Sequence, residues 1–324
     1  MELLIAGGTA FVGRAIAHAA VARGHQVTVL NRGRTQSDLP STVEHLVGDR
    51  MADLSALEGR HFDATIDTIA YRPVEVDALA DALGGRGGRH LQISSISAYG
   101  DGGPMLGTEE TLSLSTVQVA DDAAVTGETY GPLKAACERR AIERFGADAT
   151  VVRPTYVVGS HDATYRFPYW VARLQRGGRV LVPGPQASLL QWIDARDLAE
   201  FTVGLLEQQL TGAFHVAGPT PAVPFPAVIA QMASIIAPED TELVVADGQR
   251  LLDHGLTPGA LPLWAGPDAE SVMNVDPAKA LAAGLSFRFL DDTVDDVAKW
   301  LEGQPWRDQW MSPTDEAALI AACA

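Results

Sequence analysis

Lysine is nearly missing from this chain. Of 24 basic residues among 324, only Lys134, Lys279 and Lys299 are lysines, against 41 acids. The net charge of −17 repels phosphate backbones and anionic bilayers, so neither nucleic acid nor a membrane surface is an expected partner. Cysteine is equally scarce: Cys137 and Cys323 stand alone, in neither a metal-type nor a redox-type spacing, and are expected to be reduced and packed. The eight histidines are dispersed without a pair at ligand spacing, so no metal site is expected. No apolar run reaches the roughly 18 residues that span a bilayer. Met1 leads straight into a strand pattern with no room for a signal peptide, so the expected location is the cytoplasm. The arginine-for-lysine bias and the abundance of Ala and Gly point to GC-rich bacterial coding rather than to function.

What is present is enough apolar residue, 47%, to bury a sizeable core in one large or two ordinary domains. Glu2 to Ala6 reads as a buried strand, and it runs into Gly7-Gly8-Thr9-Ala10-Phe11-Val12-Gly13. From Val12 the apolar positions follow helical spacing as far as Gly24. A strand, a glycine turn and a helix start let the backbone approach a pyrophosphate, whose charge the free N–H groups and helix dipole stabilise. Gly7, Thr9, Ala10, Phe11, Val12 and Gly13 are therefore candidate cofactor contacts. Ala10 departs from a three-glycine pattern.

A second strand, Gln26 to Leu30, ends in Asn31-Arg32-Gly33-Arg34. An acid at this point would bond the ribose hydroxyls of NAD, whereas arginine suits a 2′-phosphate. Asn31 occupies the acid's place, so NADP(H) is expected with Arg32 as its phosphate contact and Arg34 as a second candidate; NAD is the less expected cofactor. Further strands are expected at Val43 to Val47, Asp63 to Thr68, His90 to Ser94 and Thr150 to Arg153, with a short helix opening at Asp53 and a longer one over Val74 to Leu83. This alternation predicts an α/β fold, a doubly wound parallel sheet of the Rossmann type. Asp49, Arg50, Thr68 and Ala70 fall at strand carboxyl ends, where cofactors bind in such sheets.

Tyr130 and Lys134 lie about one helical turn apart, which puts both on one face. A phenol of pKa about 10 exchanges protons at neutral pH only if a cation stabilises its phenolate. Pro132, tolerated only in a first turn, fixes the helix start near Tyr130.

With Ile93-Ser94-Ser95-Ile96-Ser97-Ala98-Tyr99-Gly100 ahead of that pair, the chain resembles the extended short-chain dehydrogenase/reductase family, of the epimerase/dehydratase type. The resemblance covers the order and spacing of motifs over residues 1 to 200. It implies that Ser95 bonds the substrate oxygen, Tyr130 exchanges the proton, and Lys134 binds the nicotinamide ribose while stabilising the phenolate. Ser94 is the fallback for Ser95. The same resemblance implies that Pro154 and Thr155 pass the nicotinamide, and it is compatible with a homodimer.

A dinucleotide-binding domain is expected over residues 1 to 158, with a return to the sheet at about 186 to 218. A smaller C-terminal substrate-binding lid takes 159 to 185 and 219 to 311, and a last helix 312 to 324. Residues 101 to 129, with Gly102, Gly103 and Pro104, read as a substrate-covering loop or as surface decoration. Tyr156, His161, Tyr165, Trp192 and Trp264 are unranked pocket candidates. The expected activity is NADP-dependent reduction of a small metabolite's carbonyl. A nucleotide-sugar epimerase with retained cofactor is the alternative, and a non-catalytic binding protein the third reading, since relatives with a similar G-G-T-x-F-x-G start resemble RNA-binding proteins. Ile96 and Ser97 stand where dehydratases of the family carry an acidic pair, which disfavours dehydration.

Overall fold

The structure, a computed structural model, describes residues 1–35, 38–100, 104–146, 149–184, 189–257, 259–267 and 274–323. The loop positions Gly102 and Gly103 and the expected boundary at 185 and 186 lie outside them. Along the chain come β1 (Glu2–Ala6), α1 (Phe11–Ala22), β2 (Gln26–Asn31), β3 (Glu44–Val47), β4 (Ala64–Asp67), α2 (Pro73–Leu83), β5 (Arg89–Ile93), α3 (Tyr130–Phe145) and β6 (Thr150–Pro154). There follow β7 (Tyr156–Val158), α4 (Arg166–Gln175), β8 (Arg179–Gly184), β9 (Leu189–Asp194), α5 (Ala195–Glu207), β10 (Gly212–Val216) and β11 (Gly218–Pro224). The last elements are α6 (Phe225–Ile236), β12 (Glu242–Asp247), α7 (Gly248–Asp253), α8 (Ala278–Ala282), α9 (Leu290–Leu301) and α10 (Pro313–Cys323).

The chain divides into two units. The first comprises Met1–Thr155, Ala195–Ala217 and Val275–Ser286. Its sheet runs β10-β6-β5-β4-β1-β2-β3, every neighbouring pair parallel. Leu3, Leu4, Ile5 and Ala6 of β1 are wholly buried, as a central strand covered by helices on both faces requires. Helices α1 and α5 pack together, as do α2 and α3. Strand order reverses between β1 and β4, which opens a crevice at the strands' carboxyl ends.

The second unit comprises Tyr156–Asp194, Gly218–Asn274 and Phe287–Ala324. It has its own core around Phe167, Trp170, Phe225 and Trp264, with a three-stranded sheet β11-β9-β7 and the pair β12-β8. Arg173 on α4 forms a buried ion pair with Glu316 of α10 at 2.7 Å, which fastens the last helix to this core.

Local structure departs from the sequence expectation at three places. The segment after Asp53 forms only a 3₁₀ turn, Ser55–Leu57, because the chain reverses at Gly59 with φ 70°. Leu189–Asp194 does not return to the large sheet; Trp192 and Ile193 pair with Tyr156 and Val157 instead, and β10 alone makes the return. Residues 275 to 286 belong to the first unit, where α8 packs on β10.

Candidate active site

The first unit carries a cavity of about 320 Å³ at the carboxyl ends of β1 to β4. Gly7, Thr9 and Ala10 line one side, Asn31, Arg32 and Arg34 the β2 end, and Asp49 and Arg50 the turn after β3. Ile69, Tyr71, Arg72 and Glu75 line the side formed by the loop after β4. Gly7 has φ 88°, and a Cβ there would overlap the Ile69 side chain and crowd Thr68 Oγ1. A Cβ on Gly13 would overlap the carbonyl oxygen of Gly7. Both positions therefore need glycine for the helix start to approach the strand end. Helix α1 has no acid in its first turn, so nothing there competes with an anion for its N–H groups. These features fit a dinucleotide phosphate. Phe11 and Val12 open α1 and are half-buried.

Arg50 is less a free cation than a wall. Its guanidinium bonds both carboxylate oxygens of Asp67 at 3.0 Å and the Glu75 carbonyl at 3.1 Å. Burial alone would raise the Asp67 carboxyl, but Arg50 outweighs it and holds that carboxyl below the usual aspartate range. Asp49 Oδ1 accepts from the Met51 N–H at 3.0 Å, which shapes the turn. Thr68 Oγ1 donates to the Ala6 carbonyl at 2.8 Å and so pins β4 to the end of β1.

Beyond the cavity, α3 begins at Tyr130, with Pro132 in its first turn. Tyr130 is half-buried. The Lys134 ammonium, 3% exposed, donates to the carbonyls of Ala70 at 3.0 Å and Ile93 at 2.8 Å. It thus ties the loop after β4 and the end of β5 to the helix. It also lies 5.4 Å from the ring centre of Tyr71, and the rings of Tyr71 and Tyr130 are 6.3 Å apart. Burial, and next the neighbouring Tyr130, push the Tyr71 phenol up, so it stays a donor at neutral pH.

The two serines differ. Ser95 Oγ accepts from the Ser97 N–H at 3.1 Å, which uses a lone pair and leaves its O–H to donate. Ser94 bonds Glu138 instead. Glu138 pairs with Arg153 at 2.7 Å, and Arg153 donates to Tyr99 Oη at 2.6 Å. Tyr99 in turn bonds His215 Nε2, and His215 Nδ1 lies 3.0 Å from the Asp276 carbonyl. A carbonyl only accepts, so Nδ1 carries the proton and Nε2 accepts from Tyr99. Burial lowers the His215 pKa, which keeps the ring neutral, and raises Tyr99 to about 12. Every member of this chain has a partner, so it acts as a scaffold between β5, β6, β10 and α3. The Thr155 hydroxyl at the end of β6 is buried without a partner, and Pro154 is buried beside it.

Tyr71, Glu138, Arg153 and His215 escaped the sequence reading. Glu138 was findable, because it continues the Tyr130, Lys134 spacing by one more turn. Tyr71 and His215 gave no periodic signal. Burial pushes the Cys137 thiol up to about 12, which suits a packing residue. Among the described residues no group of His, Cys, Asp or Glu is arranged to hold a metal. No described helix is long and apolar enough to cross a membrane.

Residues 3–217 match the NAD dependent epimerase/dehydratase family. The chain belongs to that family. The family is named for epimerase and dehydratase chemistry that depends on NAD. The chloroplast stem-loop binding protein of 41 kDa b from Arabidopsis thaliana is 25% identical over 67% of this chain and 58% of its own length. The bifunctional pinoresinol-lariciresinol reductase of Thuja plicata is 26% identical over 65% of this chain and 66% of its own. The chain thus spans about three fifths to two thirds of these relatives. The Bordetella bronchiseptica enzyme WbmH, solved with NAD+, shares the fold with a TM-score of 0.70 at 19% identity, over 94% of this chain and 99% of that one.

The expected preference for NADP over NAD is corrected by these relatives. WbmH, the UDP-glucuronic acid 4-epimerase of Bacillus cereus and B. bronchiseptica WbmG were all solved with NAD, against one reductase, yeast Gre2, with NADPH. The physical reason is local. Arg32 and Arg34 are exposed, and a guanidinium on an exposed turn serves solvent as well as a phosphate. Asn31 Oδ1 accepts from the Gly33 N–H at 2.7 Å, so Asn31 is explained by shaping the turn and does not report on the cofactor.

Proposed function

We propose that this chain is an NAD-using epimerase or oxidoreductase that removes and returns hydride at a hydroxyl-bearing carbon of a nucleotide-linked sugar or similar metabolite. The observation that carries this reading is the Lys134 ammonium, tied to the loop after β4 and the end of β5 one turn beyond Tyr130 and beside the cavity wall residue Tyr71. NAD, when bound, supplies the hydride acceptor and donor. Gly7, Thr9, Ala10 and Gly13 would hold its phosphates, Asn31, Arg32 and Asp49 its adenosine, and Thr155 its nicotinamide end. Tyr130 takes the hydroxyl proton and returns it, Lys134 lowers the cost of the phenolate, and the Ser95 O–H orients the substrate oxygen.

The favoured form is epimerisation with the cofactor retained, because UDP-sugar 4-epimerases recur among the solved structures of similar fold. The test is incubation of the protein with NAD and UDP- or dTDP-sugars, read by chromatography for the epimer and by absorbance for NADH. Epimer without accumulating NADH is expected; net NADH or a reduced product overturns this form in favour of a reductase. Tyr130→Phe should keep NAD binding and lose turnover by about 10²-fold or more, and retained turnover refutes the proton role. The Arabidopsis relative supports a second reading, stem-loop RNA binding. The −17 charge opposes it, and a gel shift with hairpin RNA at physiological salt decides it.

A further inference from the structure

Tyr71 belongs to two places at once. It lines the cavity together with the glycine turn. Its ring also stands 6.3 Å from that of Tyr130 and 5.4 Å from the Lys134 ammonium. Tyr71 keeps 42% of its surface exposed, although enough protein surrounds its hydroxyl to push the phenol up. Its position is not loosely held. Its N–H donates to Glu75 Oε2 at 2.8 Å, and the same carboxylate takes the Arg72 N–H at 3.1 Å and the Arg72 guanidinium at 2.7 Å. Pro73 then starts α2. The loop that carries Tyr71 is therefore fixed by a helix cap, and Lys134 holds it from below through the Ala70 carbonyl.

We infer that Tyr71 is a cofactor-contacting residue that joins the phosphate cradle to the Tyr130 and Lys134 pair. The inference rests on the proposed NAD site and deepens it. The acid on this wall, Glu75, is engaged by Arg72, so a dinucleotide here would find its neutral donor and flat surface elsewhere on the wall. A phenol supplies both, and the exposed part of its ring is available to the nicotinamide side of the dinucleotide. The adenosine end is lined by other residues, Leu30, Asn31 and Arg32. The contact thus belongs to the half of the ligand that AMP lacks.

Titration calorimetry of the full chain with NAD and with AMP tests this, for the parent, Tyr71→Ala and Tyr71→Phe, with melting temperatures measured alongside. Tyr71→Ala is expected to raise the NAD Kd about tenfold while leaving the AMP Kd within about twofold, as loss of one hydrogen bond and one ring contact predicts. Tyr71→Phe, which keeps the ring and guards against a folding defect, is expected to raise the NAD Kd about fivefold. A loss confined to Tyr71→Ala still supports the contact and assigns it to the ring. An NAD Kd within twofold of the parent in both variants overturns the inference, and so does an equal loss for AMP. If the parent itself binds no NAD, the proposed cofactor site fails and this inference with it; unchanged variants of a parent that does bind sink the inference alone.

Discussion

Arg50 and Asp67 show how burial decides what an ion pair is for. Their side chains are 7% and 0% exposed, whereas those of Arg60 and Glu44 are 36% and 49% exposed at a shorter separation of 2.7 Å. An exposed pair contributes about 0 to 1 kcal/mol, while removing one partner of a buried pair strands a charge and costs about 3 to 5 kcal/mol. Asp67→Asn should therefore destabilise the protein by about 3 to 5 kcal/mol, and Glu44→Gln by under about 1 kcal/mol, in urea melts at neutral pH. Equal small effects would mean that water reaches the Arg50 site. At this scale the sequence was half legible. Arg50 was recognisable at a strand end, but its partner is 17 residues away and nothing local links the two.

Helix α3 carries Tyr130, Lys134 and Glu138 on one face, and Pro132 made its start readable from sequence alone. Strand-turn-helix at the N-terminus was readable for the same kind of reason, since glycine and proline restrict the backbone locally whatever packs around them. The missed elements are of another kind. β7, β9 and β11 pair with one another across gaps of 24 residues or more along the chain, so no window of sequence contains their cause. Gly131 is a test at this scale. Alanine there gains at most about 1 kcal/mol of helix propensity, but its Cβ would overlap the Ser97 carbonyl oxygen. Overpacking costs about 1 to 3 kcal/mol, so Gly131→Ala should destabilise on balance and lower turnover by displacing Tyr130. A more stable variant in urea melts would show that the Ser97 turn yields.

Across the first unit, the buried layer between the sheet and α2 and α3 includes the polar residues Asp67, His90 and Glu138. His90, stacked on Phe145 at 3.8 Å, is buried, and burial lowers its pKa to about 4 despite Asp67 nearby. The unfolded imidazole titrates near 6.5, so between pH 6.5 and about 4 the unfolded chain binds the extra proton. Stability is then fully present above pH 6.5 and falls as pH drops through that window, at up to about 1.4 kcal/mol per pH unit. His18 and His215 are lowered too, so the contribution of His90 is a difference. Across urea midpoints at pH 7.5, 5.5 and 4.5 the parent should lose stability relative to His90→Leu as pH falls, and parallel profiles would place the titration elsewhere.

The scarcity of lysine makes the proton inventory of the one buried ammonium worth following. An ammonium has three N–H bonds, and Lys134 gives two of them to backbone carbonyls. One remains. A vicinal diol presents two oxygens, so Lys134 can satisfy half of such a group, and the second oxygen must find its donor on a neighbouring side chain. In the proposed site, recognition of such a diol would therefore be shared between the lysine and the phenols beside it, and a variant at Lys134 alone would report only its half.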